Sequence, residues 1–253
     1  MPRANRYHVP GYIWHITHRC HKKEFLLRFA RDRRRWLAWL FQAKKRYGLR
    51  ILNYTATSNH IHLLVIEGRK PDAIPKSVQL AAGRTGQEYN LRKDRRGAFW
   101  EDRYHATAVE GGQHLIQCLV YIDLNMVRAG VVNHAAAWPH CGYYELQRDR
   151  KRGGLIDYAS LMTLLKIGGL AELRNVRKKW IGEMISAHEL LREKKWSESI
   201  AVGSQTFVED IKSRLESRAG ARKVIADNET YELRESRALY KAVFGGKKRN
   251  LST

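Results

Sequence analysis

The sequence predicts an α+β fold, in which an antiparallel sheet carries packed helices and is followed by an all-helical C-terminal region. Strand-like and amphipathic helical segments alternate in the order β-α-β-β-α-β-α, and two of the strands are joined by a turn short enough for a hairpin. Hydrophobic residues make up 43% of the 253 residues, which is enough to form a packed core.

Local composition defines each element of this pattern. The predicted strands are runs rich in aromatic, β-branched and aliphatic residues, at 12–17, 50–57, 60–66 and 106–109. The predicted helices cover residues 31–47, 74–91 and 112–125. Apolar residues at helical spacing, such as Trp36 and Leu40, mark the first helix, which Gly48 ends. The turn Ser58-Asn59 makes the two middle strands an antiparallel pair.

The C-terminal part is predicted to be a separate helical region. The polar, basic stretch from Gln147 to Gly154 is the predicted boundary, which gives a first domain of residues 1–146 and a helical region of residues 155–253. Asp157 precedes an apolar helical run, and residues 171–196 and 229–244 also have helical patterns.

The charge predicts a polyanionic partner. Lys and Arg number 47 and Asp and Glu 25, so the formal net charge is 47 − 25 = +22. Nucleic acid is the first candidate, because each neutralised phosphate releases a counterion. No run approaches the ~18 apolar residues that a membrane span needs, so no membrane partner is expected. No motif for a small-molecule cofactor is found. Three scattered cysteines and the absence of an apolar leader predict the cytoplasm.

A pair of histidines is the first candidate for chemistry. In the strand that contains His60 and His62, alternate side chains share a face, so the two imidazoles project together at a spacing that suits one metal ion. The alternative is a pair of histidines on the wet side of an edge strand.

A polar stripe on the third helix is the second candidate. At 100° per residue, five polar side chains fall within roughly 80° of one another. They are His114, Gln117, Tyr121, Asn125 and Arg128. The alternative is an ordinary solvated face. Asp123 falls on the apolar side of this helix, which suggests that the helix ends near Asn125.

The histidine pair and the polar stripe form one site if the fold brings the strand and the helix together. His60, His62 and the amide oxygen of Asn125 would form an open three-ligand metal site, and Tyr121 lies one helical turn before Asn125. A metal ion that holds a scissile phosphate orients it for in-line attack, and a deprotonated phenol is a feasible nucleophile. A hydrolase that uses water would not need this tyrosine, and that alternative stays open.

These motifs resemble a known family. The string Asn59-His60-Ile61-His62-Leu63-Leu64 resembles the metal motif of HUH endonucleases, and residues 121–130 (YIDLNMVRAG) resemble the tyrosine motif of REP-associated tyrosine transposases, which are IS200-like single-tyrosine HUH transposases. Residues 10–17 (PGYIWHIT) and 99–104 (FWEDRY) are also similar, so the resemblance covers about residues 1–145. The family usually has proline where this chain has Met126.

The resemblance implies a fold and a reaction. The fold would be the HUH variant of the ferredoxin-like fold. His60, His62 and Asn125 would hold Mg²⁺ or Mn²⁺, with zinc as the alternative on chemical grounds. Tyr121 would cleave single-stranded DNA, leaving a 5′-phosphotyrosine and a 3′-hydroxyl, and family members recognise REP hairpins. A catalytically inactive hairpin-binding protein is the alternative. The oligomeric state stays open between monomer and homodimer.

Several basic residues near aromatic side chains are candidates for DNA contacts, since bases stack and phosphates pair at such surfaces. The candidates are Arg3, Arg6, Arg19, Arg103 and Arg128. A further group, His15, His18, Cys20 and His21, has residue types typical of metal sites. Along a strand its members split between faces, so packing at the strand end is the preferred interpretation.

Overall fold

A computed structural model describes most of the chain. The described residues are 11–66, 72–148, 153–187, 190–215, 222–227 and 230–234. They form a single seven-stranded sheet with helices packed against it, which confirms the α+β class.

The N-terminal part follows the predicted element order. Its strands are β1 (Ile13–Arg19), β2 (Arg50–Ala56), β3 (His60–Ile66) and β4 (His105–Val109). Its first helices are α1 (Ala30–Tyr47) and α2 (Ala73–Arg92). The helix α1 ends because Gly48 adopts a left-handed conformation (φ 72°), which glycine accepts without steric cost.

These strands lie in the order β2-β3-β1-β4, and all their pairings are antiparallel. With α1 and α2 as the two crossovers, this β-α-β-β-α-β arrangement is that of the ferredoxin-like fold. The helices α1 and α2 pack against each other.

The helix that carries the polar stripe is shorter than predicted. It is α3 (Gln113–Asp123), and Leu124 separates it from the single turn α4 (Asn125–Arg128). The turn α5 (Gly142–Leu146) follows. Met126 is buried in a second apolar cluster with Trp138 and Ile181, so its side chain contributes to packing at this bend.

The prediction of an all-helical C-terminal region is wrong. The described residues there form four helices: α6 (Tyr158–Leu165), α7 (Leu170–Ser186), α8 (Lys195–Glu198) and α9 (Gln205–Arg214). They also form three strands: β5 (Ser199–Gly203), β6 (Lys223–Asp227) and β7 (Thr230–Arg234). The predicted helix over 171–196 ends at Ser186, and the predicted helix over 229–244 includes strand β7.

Tertiary pairing explains the difference. The strand β5 runs parallel to β4, and β7 and β6 add antiparallel strands beyond it, so the sheet order continues as β4-β5-β7-β6. Helix-forming residues of β7, such as Glu232 and Leu233, are held as a strand by these neighbours. One apolar core includes buried residues from both parts of the chain. The division at residues 146/155 stays a prediction.

Within the described ranges, no helix combines the length and the apolar character that crossing a membrane requires.

Candidate active site

The centre of the candidate site is the two histidines of β3. His60 lies opposite Arg19 of β1, and His62 lies opposite Thr17. Residues opposed in an antiparallel pair share a face, and alternate residues of one strand do too. The two imidazoles therefore project from the same face of the sheet, with ring centroids 4.9 Å apart.

His62 is held between two side chains. Its Nδ1 lies 2.9 Å from Nε2 of His15 on β1, and its Nε2 lies 2.9 Å from Nδ2 of Asn125. Burial and the neighbouring histidines lower the pKa of His62 well below its ordinary value. Its imidazole is thus neutral at pH 7 and keeps a lone pair for an acceptor or ligand role.

His60 is fixed by the hairpin turn that precedes it. Its Nδ1 lies 2.7 Å from Oδ1 of Asn59 and 3.0 Å from Oγ1 of Thr57. These contacts leave Nε2 as the nitrogen that can bind a ligand. Burial, with smaller contributions from Arg19 and Arg192, lowers the pKa of His60 to about 4, so this ring is also neutral at pH 7.

Polar residues of β2 hold the tyrosine helix over this face of the sheet. Asn53 Nδ2 donates to the Leu119 carbonyl at 3.2 Å and to Oδ1 of Asp123 at 2.8 Å. Thr55 Oγ1 donates to the Ile122 carbonyl at 3.1 Å. The backbone of α3 is therefore fixed on both sides of Tyr121.

The Tyr121 ring lies edge-on to His62, with centroids 5.8 Å apart, and the Arg128 guanidinium lies 4.1 Å from the ring centroid. The side chain is only 4% exposed and also contacts Trp196 of α8. Burial raises the pKa of the phenol, whereas Arg128 and Arg192 lower it. Their charges therefore partly offset the cost of forming a phenolate there.

These side chains line one cleft of about 710 Å³. The predicted site residues that line it are His60, His62, Tyr121, Asn125, Arg19, Arg103 and Arg128. The structure thus brings together a set that is spread over more than one hundred positions of the chain. The predicted DNA contacts Arg3 and Arg6 lie outside the described residues.

The donor set fits a divalent cation. His60, His62 and Asn125 offer two neutral imidazole nitrogens and, with its amide turned, one carbonyl oxygen; mixed nitrogen and oxygen ligands of this kind suit Mn²⁺, and an open site leaves room for phosphate oxygens. In the part of the chain that the structure describes, no three side chains of His, Cys, Asp or Glu converge as a metal site. Zinc is usually held by thiolate, imidazole and carboxylate ligands, so a set whose third donor is an amide oxygen is less typical of zinc.

The candidate group near the end of β1 divides as its strand spacing predicts. His15 lies against His62 on the site face, whereas His18 stacks on Trp100 with centroids 4.2 Å apart and contacts the Asp102 carbonyl at 2.8 Å. Cys20 is buried in the core. The group therefore does not form a metal site of its own, and His18 contributes to the lining of the cleft.

Sequence reasoning missed residues that the C-terminal part brings to the cleft. Arg192, Ser197 and Glu198 line it, and Trp196 packs against Tyr121. They occur in a charged stretch with no recognisable motif, and only the pairing of β5 with β4 places them there. His15 was missed as a partner of His62 because its role depends on the register between β1 and β3.

The chain is similar to a known family model in sequence and to solved proteins in structure. Residues 8–125 match the family model described as IS200-like transposase. A solved REP-associated tyrosine transposase bound to a REP hairpin is 16% identical, with a TM-score of 0.47 over 57% of this chain and 84% of that one. A Deinococcus radiodurans R1 protein, classed as a candidate transposase, is 13% identical, with a TM-score of 0.33 over 51% and 97%. No curated protein gives a significant match.

The family match spans the strand with both histidines and the helix with the tyrosine, and it ends at Asn125. Residues 8–125, which hold every proposed metal ligand and the proposed nucleophile, are therefore similar to the IS200-like transposase family.

Proposed function

We propose that this protein is a transposase that cleaves and rejoins single-stranded DNA through a covalent bond between Tyr121 and a 5′-phosphate. The observation that carries the proposal is the meeting of Tyr121, His62 and Asn125 in one cleft. From the resemblance of its sequence motifs to REP-associated tyrosine transposases, we propose hairpin DNA as the substrate.

The proposed reaction is a transesterification. The Tyr121 phenol loses its proton to solvent, and its oxygen attacks the scissile phosphorus. A bond from phosphorus to the tyrosine oxygen forms, the bond from phosphorus to the 3′-oxygen breaks, and that oxygen takes up a proton. Attack by a 3′-hydroxyl on the phosphotyrosine reverses these steps and joins strands. Because one phosphodiester replaces another, no external energy source is needed.

The chain supplies the groups that orient the phosphate. His60, His62 and Asn125 would hold Mg²⁺ or Mn²⁺, and the bound ion would supply Lewis-acid chemistry to the phosphate and help to orient it. Arg128 lies beside the phenol, and Arg19 and Arg103 line the same cleft, so all three can pair with DNA phosphates. The net charge of +22 attracts the DNA strand.

A hairpin-binding protein that does not cleave DNA is the second candidate. The burial of Tyr121, which leaves 4% of its surface exposed, is the observation that favours it, because a covered phenol with a raised pKa is a poor nucleophile. The same hairpin would bind, and no covalent product would form.

The test is an adduct assay. We incubate the protein with a pool of labelled hairpin oligonucleotides with single-stranded flanks, in Mg²⁺ or Mn²⁺, and separate the products on a denaturing protein gel. We expect a labelled protein band that Tyr121→Phe abolishes. Tyr143→Phe, which removes a hydroxyl from a buried tyrosine outside the cleft-lining set, is the matched control and retains the band.

The other outcomes separate the alternatives. Binding of the hairpins with no labelled band under either metal supports the non-cleaving protein. Cleaved DNA with no attached protein, at a rate that Tyr121→Phe leaves unchanged, shows that water is the nucleophile and contradicts the proposal.

A further inference from the structure

We propose that His15 is a positioning residue for His62: it holds the His62 imidazole with its proton on Nδ1 and directs the Nε2 lone pair into the cleft. This inference rests on the proposed function, in which His62 is a metal ligand. His15 itself touches neither the DNA nor the metal in this proposal.

The geometry between the two rings is that of an in-plane hydrogen bond. His15 Nε2 and His62 Nδ1 are 2.9 Å apart, and the rings lie within 9° of parallel, with centroids 5.1 Å apart. His15 has no exposed surface and His62 is 3% exposed. Water therefore has little access to replace this contact, and the direction of the His62 ring depends on His15.

The contact on the other side of His62 sets the direction of this bond. His62 Nε2 lies 2.9 Å from the amide nitrogen of Asn125, which can only donate. In this metal-free arrangement, with the amide nitrogen facing the ring, Nε2 accepts, so the single ring proton of His62 is on Nδ1 and is donated to His15 Nε2. A nitrogen that accepts from an amide N–H is also the nitrogen that can bind a cation.

Ligating histidines commonly donate their second N–H to a fixed acceptor, which sets the tautomer and the orientation of the ring. His15 fills this place from a neighbouring strand. Its ring also lies edge-on to Tyr121, with centroids 6.1 Å apart, so it is fixed by the same side chains that form the site. A residue with only a packing role would need no acceptor atom at this position.

Two substitutions separate positioning from packing. His15→Gln keeps an acceptor oxygen close to the position of the imidazole Nε2, and His15→Leu fills a similar volume without one. We measure the binding of Mn²⁺ alone, from the loss of the free Mn²⁺ electron paramagnetic resonance signal. We expect His15→Leu to weaken binding by about 10- to 100-fold, and His15→Gln to restore most of it. His140→Leu, at a buried histidine outside the cleft-lining set, is the control and leaves binding unchanged.

A second measurement needs no substitution at position 15. The ¹⁵N shifts of the His62 ring in the metal-free protein, assigned by comparison with His62→Gln, report its tautomer directly. We expect the Nδ1–H form. An Nε2–H ring, or equal Mn²⁺ affinity of the Leu and Gln variants, would overturn the inference about His15 and leave the proposed function intact. Failure of the unsubstituted protein to bind Mn²⁺ would instead contradict the metal site of the proposed function, and this inference with it.

Discussion

Two arginines set the charge around the Tyr121 phenol. Arg128 lies over its ring and donates to the Tyr121 carbonyl, and Arg192 reaches the cleft from the C-terminal part. Both lower the pKa of a phenol that burial raises. In the proposed reaction the phenolate is the nucleophile, so the fraction of reactive protein grows as the pH approaches that pKa from below.

The first prediction follows from this balance. Arg128→Met removes a positive charge and so raises the pKa of Tyr121 further. We expect the pH profile of adduct formation to shift to higher pH by roughly one unit, equivalent to about 1.4 kcal/mol. Arg128→Lys keeps the charge and shifts the profile less. The measurement is the initial rate of adduct formation from about pH 7 to about pH 11, because the raised pKa of the phenol lies above its ordinary value of about 10.

Arg103→Met is the control for this prediction. Arg103 lies at the exposed edge of the cleft, so its loss weakens DNA binding and leaves the pH profile in place. A profile of Arg128→Met that coincides with that of the unsubstituted protein would show that Arg128 does not control ionisation of the phenol.

At the scale of secondary structure elements, a buried polar network orients the tyrosine helix. The carboxylate of Asp123, at the end of α3, accepts from Asn53 of β2 and from Arg177 of α7. Asp123 and Arg177 are almost fully buried. Burial raises the pKa of Asp123, while Arg177 and Asn53 act in the opposite direction. The network connects the C-terminal part to the helix that carries the proposed nucleophile.

The second prediction concerns this pair. Arg177→Met leaves a buried carboxylate without its cation and lowers the free energy of unfolding by about 3–5 kcal/mol. The double variant Asp123→Asn/Arg177→Met removes the charge as well and recovers most of that loss. Urea denaturation measures both. Lys179→Met, on the exposed side of the same helix, is the control and changes stability by less than about 0.5 kcal/mol.

Recovery in the double variant decides the interpretation. If the double variant were no more stable than Arg177→Met, lost packing of the long arginine side chain, and not the uncompensated charge, would explain the cost.

Sequence patterns predicted the elements whose signals are local. The hairpin, the two histidines on one face and the tyrosine on a helix all follow from spacing and turn residues within short segments. Asp123 is an example of a residue whose environment local patterns do not predict. It is a charged residue on the apolar side of its helix, and its partner Arg177 lies 54 residues further along the chain. No helical periodicity identifies such a partner.

At the scale of the whole molecule, the same limit explains the error in the C-terminal part. The strand β5 has only five residues, and it is held by pairing with β4 and by contacts of Thr107 and His105 with the Ser199 carbonyl, at 2.5 and 2.9 Å. Short strands of this kind are specified by their neighbours more than by their own composition. Because β4 pairs with β1 on one side and with β5 on the other, the sheet continues across the predicted domain boundary without interruption.

The third prediction tests whether residues 1–148 fold alone. In that truncated chain β4 becomes an open edge strand, Tyr121 loses its contact with Trp196, and Asp123 loses Arg177. Open edges and exposed apolar surface favour aggregation. We therefore expect the truncated chain to elute as aggregates in size-exclusion chromatography and to lack a cooperative urea transition.

A chain that ends at Arg234 is the matched control, because it keeps every element that the structure describes, and we expect it to retain the urea midpoint of the full chain. A soluble 1–148 chain with a cooperative transition and an intact Mn²⁺ affinity would show the opposite. The sheet extension would then be an addition to an autonomous domain, and the boundary predicted at residue 146 would be correct despite the continuous sheet.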